Sequence, residues 1–287
     1  MSHTAYAPGK IILMGEHAVV YGHPALAMAI GRGTTVTLTD RAGPTALDQA
    51  WVDDNRLPRA LHAVLPADGV GVIVNSNLPI GVGMGSSAAL AVALARASLS
   101  REGLAAERTE VDARAFAVER IFHGNPSGID HTVSMHGGAL QYRRTDAGPV
   151  FETVHLPPLP IVVINSGSAG DTSTQVAKVA SRRDEIDRYL VEMGELLEAT
   201  RPALEAGNIS AIGQAWIENH RLLHAIGVST PTLDEIVQVA LDAGAAGAKL
   251  AGAGGGGVVI AIAPQPKTVI EAAAAAGWAA FEVQSHN

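Results

Sequence analysis

The chain has 287 residues, 47% apolar and 17% charged, with 31 glycines, which describes a globular mixed α and β protein with room for two modest domains and excludes a disordered or fibrous one. A formal charge of −8 excludes a general nucleic-acid binder, whose affinity for phosphate backbones comes from clustered Lys and Arg. The absence of cysteine excludes disulfides, thiolate zinc sites and cysteine nucleophiles, and suits a reducing cytoplasm.

Residues 1–10 carry no basic region followed by an apolar stretch, and the longest apolar runs, such as 258–263, fall far below membrane-spanning length. The expectation is a cytoplasmic protein with no membrane partner. Residues 11–14 and 19–21 read as short strands around the turn Gly15-Glu16-His17, and 34–39 alternates like another strand. A strand at 70–75 leads into a glycine-rich loop and then a helix over 86–99, with a second helix over 110–122. That helix stops at His123-Gly124-Asn125-Pro126, where glycine and the Asn-Pro pair end helical geometry. Pro157-Pro158-Leu159-Pro160 makes a stiff connector, and the domain boundary is set there, with 1–157 as one domain and 158–287 as the other. Beyond it come a strand at 161–165, helices at 174–198, 209–225 and 232–243, a strand at 258–263, a helix at 267–276 and a last strand at 280–283. The second half thus reads as helices on a small antiparallel sheet.

Gly81, Val82, Gly83, Met84 and Gly85 form the most informative loop of the first half. Alternating glycines let the backbone approach a ligand closely, and the helix that follows offers unpaired N–H groups and the positive end of its dipole to a phosphate. No Lys-Ser/Thr pair follows the last glycine, so this is not a Walker A loop, and Lys10 is the candidate for the missing positive charge. Ser86 and Ser87 supply hydroxyls at the helix start; their plainer role would be capping. The second glycine loop, residues 252–257, satisfies the dinucleotide fingerprint by letters, but a strand follows it where a dinucleotide fold needs a helix. An oxidoreductase is disfavoured on that ground, and the loop is expected to pass close to a ligand or to the first loop.

Lys10, Glu16, His17, Glu119 and Asp130 lie beside loops in a lightly charged chain. Phosphoryl transfer needs a metal to neutralise phosphates, a cation near the reacting oxygen and an acceptor for the hydroxyl proton, and this inventory supplies each. Hydroxyl and carboxylate oxygens are ligands suited to Mg²⁺. His220 and His224 share one helix face, but Arg221 stands where a zinc protease has its Glu, so they read as surface or interface histidines. No nucleophile elbow is present.

Three stretches resemble, in order, the three motifs of the GHMP kinases: Ala7-Pro8-Gly9-Lys10 running on to Gly15-Glu16-His17, then Leu78-Pro79-Ile80 with the glycine loop and Ser86-Ser87, then Lys249-Leu250-Ala251 with the second glycine loop. The segment from His123 to Asp130 and the segment from Leu222 to Asp234 resemble the branch of that family that acts on mevalonate. The resemblance implies an α+β GHMP kinase fold, with a ribosomal-protein-like, left-handed β-α-β N-terminal domain that binds ATP and a ferredoxin-like C-terminal domain. It implies ATP- and Mg²⁺-dependent phosphorylation of mevalonate at its 5-hydroxyl in isoprenoid precursor synthesis, with a homodimer implied on the same ground alone. Residue by residue, Asp130 falls on the catalytic aspartate and Lys10 on the lysine beside it, and Ser87 and Glu119 fall on the metal ligands. Gly81, Val82, Gly83, Met84, Gly85, Ser86 and Ser87 would cradle the ATP phosphates with Ser76 on the nucleotide side, while Glu16, His17 and Thr172 would face mevalonate. A carboxylate is too weak a base to ionise an alcohol in advance, so its proton transfer must come late. His131 departs from the Asn or Thr expected after the aspartate, and the chain is short between Thr39 and Val70. Kinases or decarboxylases acting on phosphomevalonate or on the mevalonate 3-hydroxyl, and a silent nucleotide sensor, are the alternatives.

Overall fold

The computed structural model describes residues 2–48, 54–124, 126–145 and 147–286; Asn125 of the expected helix stop lies outside them. The chain forms two compact units, each assembled from separate segments: Met1–Lys10, Gly31–Leu78 and Gly85–Gly137 make the first, and Ile11–Ile30, Pro79–Met84 and Gly138–Asn287 the second. The chain passes from one to the other five times, twice within strands β1 (His3–Met14) and β2 (Ala25–Pro44) and again after Leu78, Met84 and Gly137.

In the first unit the later part of β2 pairs antiparallel with β4 (Asp68–Ser76), with Thr34 opposite Ser76, and the short β3 (Ala46–Leu47) lies parallel to β4. Helix α2 (Ser86–Arg101) is apolar on every side, its residues from Ala88 to Ala95 all buried. A helix of that kind has no face for water and must be enclosed. It packs on α3 (Arg108–His123) and α4 (Ile129–His136), and shares a core with Val36, Leu38, Val70, Val72 and Val74 of the strands. Helix α1 (Leu57–His62) packs on α3.

In the second unit the early part of β2 pairs with β5 (Ala139–Thr145), which pairs in turn with β6 (Gly148–Val154). A four-stranded antiparallel sheet follows, built from β7 (Ile161–Asn165), β8 (Gly247–Ala251), β9 (Val258–Ile262) and β10 (Ala279–Val283) in the spatial order β10-β7-β9-β8. Helices α5 (Thr172–Ser181), α6 (Arg183–Glu205), α7 (Ile209–Ala225) and α8 (Pro231–Asp242) lie between β7 and β8 in the chain, and α9 (Pro266–Ala275) precedes β10. The first and third strands are central, with the last at the edge beside the first and the second at the edge beside the third, which is the ferredoxin-like arrangement expected for this half.

Two local expectations are corrected, and a strand appears that none foresaw. Residues 19–21 are not a strand: Ala18–Tyr21 is a turn of 3₁₀ helix, because Val19 and Val20 donate locally to Gly15 and His17 carbonyls while Ala18 is drawn into the core. Tertiary burial there overrides the strand preference of β-branched residues. The single helix over 174–198 is two, since Arg182 leaves helical geometry at φ −115 and ψ 16, and α6 then runs to Glu205 with Pro202 inside it. Strand β8 went unseen because Gly-Ala-Lys-Leu-Ala carries no strand signature, and its lysine is fully buried.

Candidate active site

In the first unit Lys10 projects from β1 with its side chain covered, and its Nζ lies 2.9 Å from Oδ1 of Asp130. Asp130 sits in the first turn of α4, after Gly128 at φ 92, and Thr132 Oγ1 donates 2.7 Å to the Gly128 carbonyl to fix that turn. The ammonium is buried and the carboxylate is one-third exposed, at 33%, so the pair presents an oxygen to solvent. Gly85 closes over Lys10: its φ is 72, and a Cβ there would lie 3.0 Å from Lys10 Cγ. Both the left-handed backbone and the lysine stem therefore require glycine.

Helix α2 starts directly after Gly85, with no side-chain cap and no acidic residue in its first turn. Its free N–H groups and dipole are thus available to an anion. Ser87 Oγ lies 3.0 Å from His123 Nε2 at the end of α3. Glu119, on α3, is 1% exposed, and among the described residues its Oε1 has no hydrogen-bond partner. Burial, and then the charge of Asp130, push its pKa up to about 7, against the pull of the Ser87 hydroxyl. An unsatisfied buried carboxylate oxygen beside a serine hydroxyl is a donor set that fits Mg²⁺. His131, the departure from the expected pattern, bonds Asp112 Oδ1 through Nε2 at 3.1 Å and packs its ring on Phe116, so it ties α4 to α3. Ser76 is tied into the end of β4, where its hydroxyl meets Thr34 Oγ1 at 2.9 Å and receives the Leu78 N–H.

In the second unit Gly81, Val82, Gly83 and Met84 run against the second glycine loop: a Cβ on Gly257 would meet the Val82 carbonyl at 2.9 Å. The expected approach of the two loops is found. Val82 and Met84 turn their side chains into the protein, leaving only main chain to face a ligand. Glu16 and His17 are buried in the turn after β1, where Lys249 and Asn219 bond the Glu16 carboxylate and His17 Nε2 lies 2.8 Å from the Ala253 carbonyl. Thr172 is exposed at the start of α5, next to Asp171, whose carboxylate accepts from Ser173 and Thr174 and is held down at about 2.

The His220 and His224 pair is no zinc centre. His220 Nδ1 accepts the Leu250 N–H, so Nε2 carries the proton given to Asp234 and no ring lone pair remains for a metal. Sequence reasoning assigned no role to Lys249, Asn219 or the Ser87 contact of His123. The signals for Lys249 are its place at the head of the third motif and its standing as a lone charge in an otherwise apolar strand.

Residues 55–138 match the N-terminal domain of the GHMP kinases and residues 200–279 their C-terminal domain. A mevalonate kinase of Thermococcus sibiricus is 37% identical over 94% of this chain and 91% of its own. The chain belongs to the GHMP kinase family. Among solved structures, this GHMP kinase is similar to L. major mevalonate kinase in complex with R-mevalonate, at a TM-score of 0.88 and 27% identity over 99% of this chain and 95% of that one. It is similar as well to Methanococcus jannaschii mevalonate kinase, at a TM-score of 0.84 and 25% identity over 100% and 98% of the two chains. Its α+β fold is the one the three motifs implied, and as a GHMP kinase it uses ATP.

Proposed function

We propose that this GHMP kinase transfers the γ-phosphoryl group of ATP to the 5-hydroxyl of mevalonate, a step of isoprenoid precursor synthesis. The observation that carries the chemistry is the Lys10–Asp130 pair at 2.9 Å beside an uncapped helix start; the choice of acceptor is supported by relatives that are mevalonate kinases. In this reading the phosphates of ATP meet the main chain of Gly81, Val82, Gly83, Met84, Gly85, Ser86 and Ser87, with Ser76 on the nucleotide side. Glu16, His17 and Thr172 serve the acceptor. The division into a nucleotide-binding part, 1–157, and a second part, 158–287, belongs to the same reading, as do a homodimer and a cytoplasmic location.

Asp130 accepts a hydrogen bond from the acceptor hydroxyl and aims its oxygen at the γ-phosphorus. The new P–O bond forms as the bond to the β,γ-bridging oxygen breaks and ADP leaves. The hydroxyl becomes acidic only as it bonds to phosphorus, so its proton passes to Asp130 late. Lys10 orients that carboxylate and faces the charge that spreads over the transferring oxygens. Ser87 and Glu119 would hold Mg²⁺, which supplies neutralisation of phosphate charge when bound.

The test is purified protein with ATP and mevalonate, with ADP release followed and the product's phosphorus position read by NMR. The 5-phosphate is the expected product. A 3-phosphate, or turnover with phosphomevalonate but not mevalonate, overturns the assignment.

A further inference from the structure

Glu16, Asn219 and Lys249 form a buried polar cluster that the phosphoryl transfer itself does not use. Lys249, in β8, is 0% exposed and its ammonium bonds Oε1 of Glu16. Asn219, from α7, donates to Oε2 at 3.3 Å. Both oxygens of a carboxylate that is itself 1% exposed are therefore engaged by the protein, which leaves it no route to contact an acceptor molecule.

The main chain of Glu16 points to a different role. Its carbonyl accepts the Ala18 N–H at 2.6 Å across His17, and His17 stands at φ 57 and ψ −45. That is the rare, strained form of the three-residue γ-turn. Strained backbone of this kind persists only where the surroundings over-determine it. Here they do: Ala18 is anchored in the core, and Gly15 is pressed so closely on the chain at Pro24 that a Cβ would come within 2.4 Å of the Pro24 carbonyl. Strand β8 and the loop after it grip the same turn twice, Lys249 through Glu16 and the Ala253 carbonyl through His17 Nε2 at 2.8 Å. A carbonyl only accepts, so Nε2 carries the proton and the Nδ1 of a neutral ring is a lone pair. Among the described residues no hydrogen bond engages that Nδ1. Burial favours the neutral ring, lowering the His17 pKa.

We infer that Lys249 is a positioning residue for acceptor binding: through Glu16 it holds the His17 turn so that the Nδ1 lone pair meets an acceptor hydroxyl, and neither Lys249 nor the Glu16 carboxylate touches the acceptor. The inference rests on the proposed kinase reading for the identity of that acceptor, and on the cluster alone for the geometry.

Lys249→Met by itself strands a buried carboxylate and endangers folding, so the decisive protein is the double variant Lys249→Met with Glu16→Gln, which removes both charges. Its KM for mevalonate should rise about tenfold, while its KM for ATP moves by less than about twofold. Nitrogen NMR of the His17 ring should pass from a single Nε2–H tautomer in the wild type to a mixture in the double variant. A folded double variant with the wild-type KM for mevalonate and an unchanged His17 tautomer overturns the inference and leaves the cluster as packing. Should the wild type phosphorylate no mevalonate, the functional reading fails, and the tautomer still decides: a mixture supports the positioning role and an unchanged Nε2–H form overturns it.

Discussion

Glu119 is the residue whose protonation most directly reports on the site. In the folded chain it holds its proton to about 7, whereas the unfolded chain releases it near the ordinary 4.5. Between those values the folded state binds more protons, so stability falls as pH rises through that window, by an amount on the order of 3 kcal/mol. Glu119→Gln should flatten this part of the pH–stability curve, measured by denaturant unfolding without metal, and an unchanged slope would place the titration elsewhere. Mg²⁺ added to the wild type should bind the ionised carboxylate and so recover stability above pH 7 in the same assay. Asp130 calls for a different measurement. Asp130→Asn keeps the shape but removes the proton acceptor, so turnover should fall by about 10²–10⁴ with the KM for ATP nearly kept; retained turnover removes Asp130 from the mechanism. At this scale the sequence assigned roles to Lys10 and Asp130 through the motifs that contain them, but none to Lys249 at the head of the third motif, because that role depends on a partner 233 residues away.

At the scale of elements, the start of α2 shows how one glycine serves backbone and side chain together. Gly85→Ala forces a Cβ into a left-handed position and against the Lys10 stem. It should cost roughly 1–2 kcal/mol from the backbone alone and should lower kcat, because displacing Lys10 disturbs its pairing with Asp130; thermal unfolding with steady-state kinetics checks both. Long periodic elements were legible in advance. Helix α7 occupies the expected 209–225 and β7 the expected 161–165. Helix α4 was not, although it carries Asp130, because eight residues give too short a pattern and its buried face includes His131, Thr132 and Ser134. Strands β5 and β6 were missed for a related reason: Arg143, Arg144 and Glu152 interrupt the alternation that marks a strand.

For the whole molecule, the kinase and dinucleotide readings of the glycine loops make opposite predictions. ATP at a hundredfold over its dissociation constant should stabilise the folded chain by about 2.7 kcal/mol, visible as a raised Tm in a thermal-shift assay, while NAD should leave Tm where it is. A shift with NAD alone would reopen the reading of residues 252–257. Among the described residues no helix is long and apolar enough to cross a membrane. The amino-acid sequence by itself determined what is local: where glycine must stand, where apolar periodicity makes a helix or a strand, and the three motifs that mark the family. Only the tertiary structure decided which polar groups meet, bringing Lys10 to Asp130, burying Glu119 Oε1 with no hydrogen-bond partner among the described residues and enclosing Glu16 between Lys249 and Asn219. The reason is physical. Backbone preference is set by a few neighbouring residues, whereas the state of a buried charge is set by whichever distant side chains the packed core places around it.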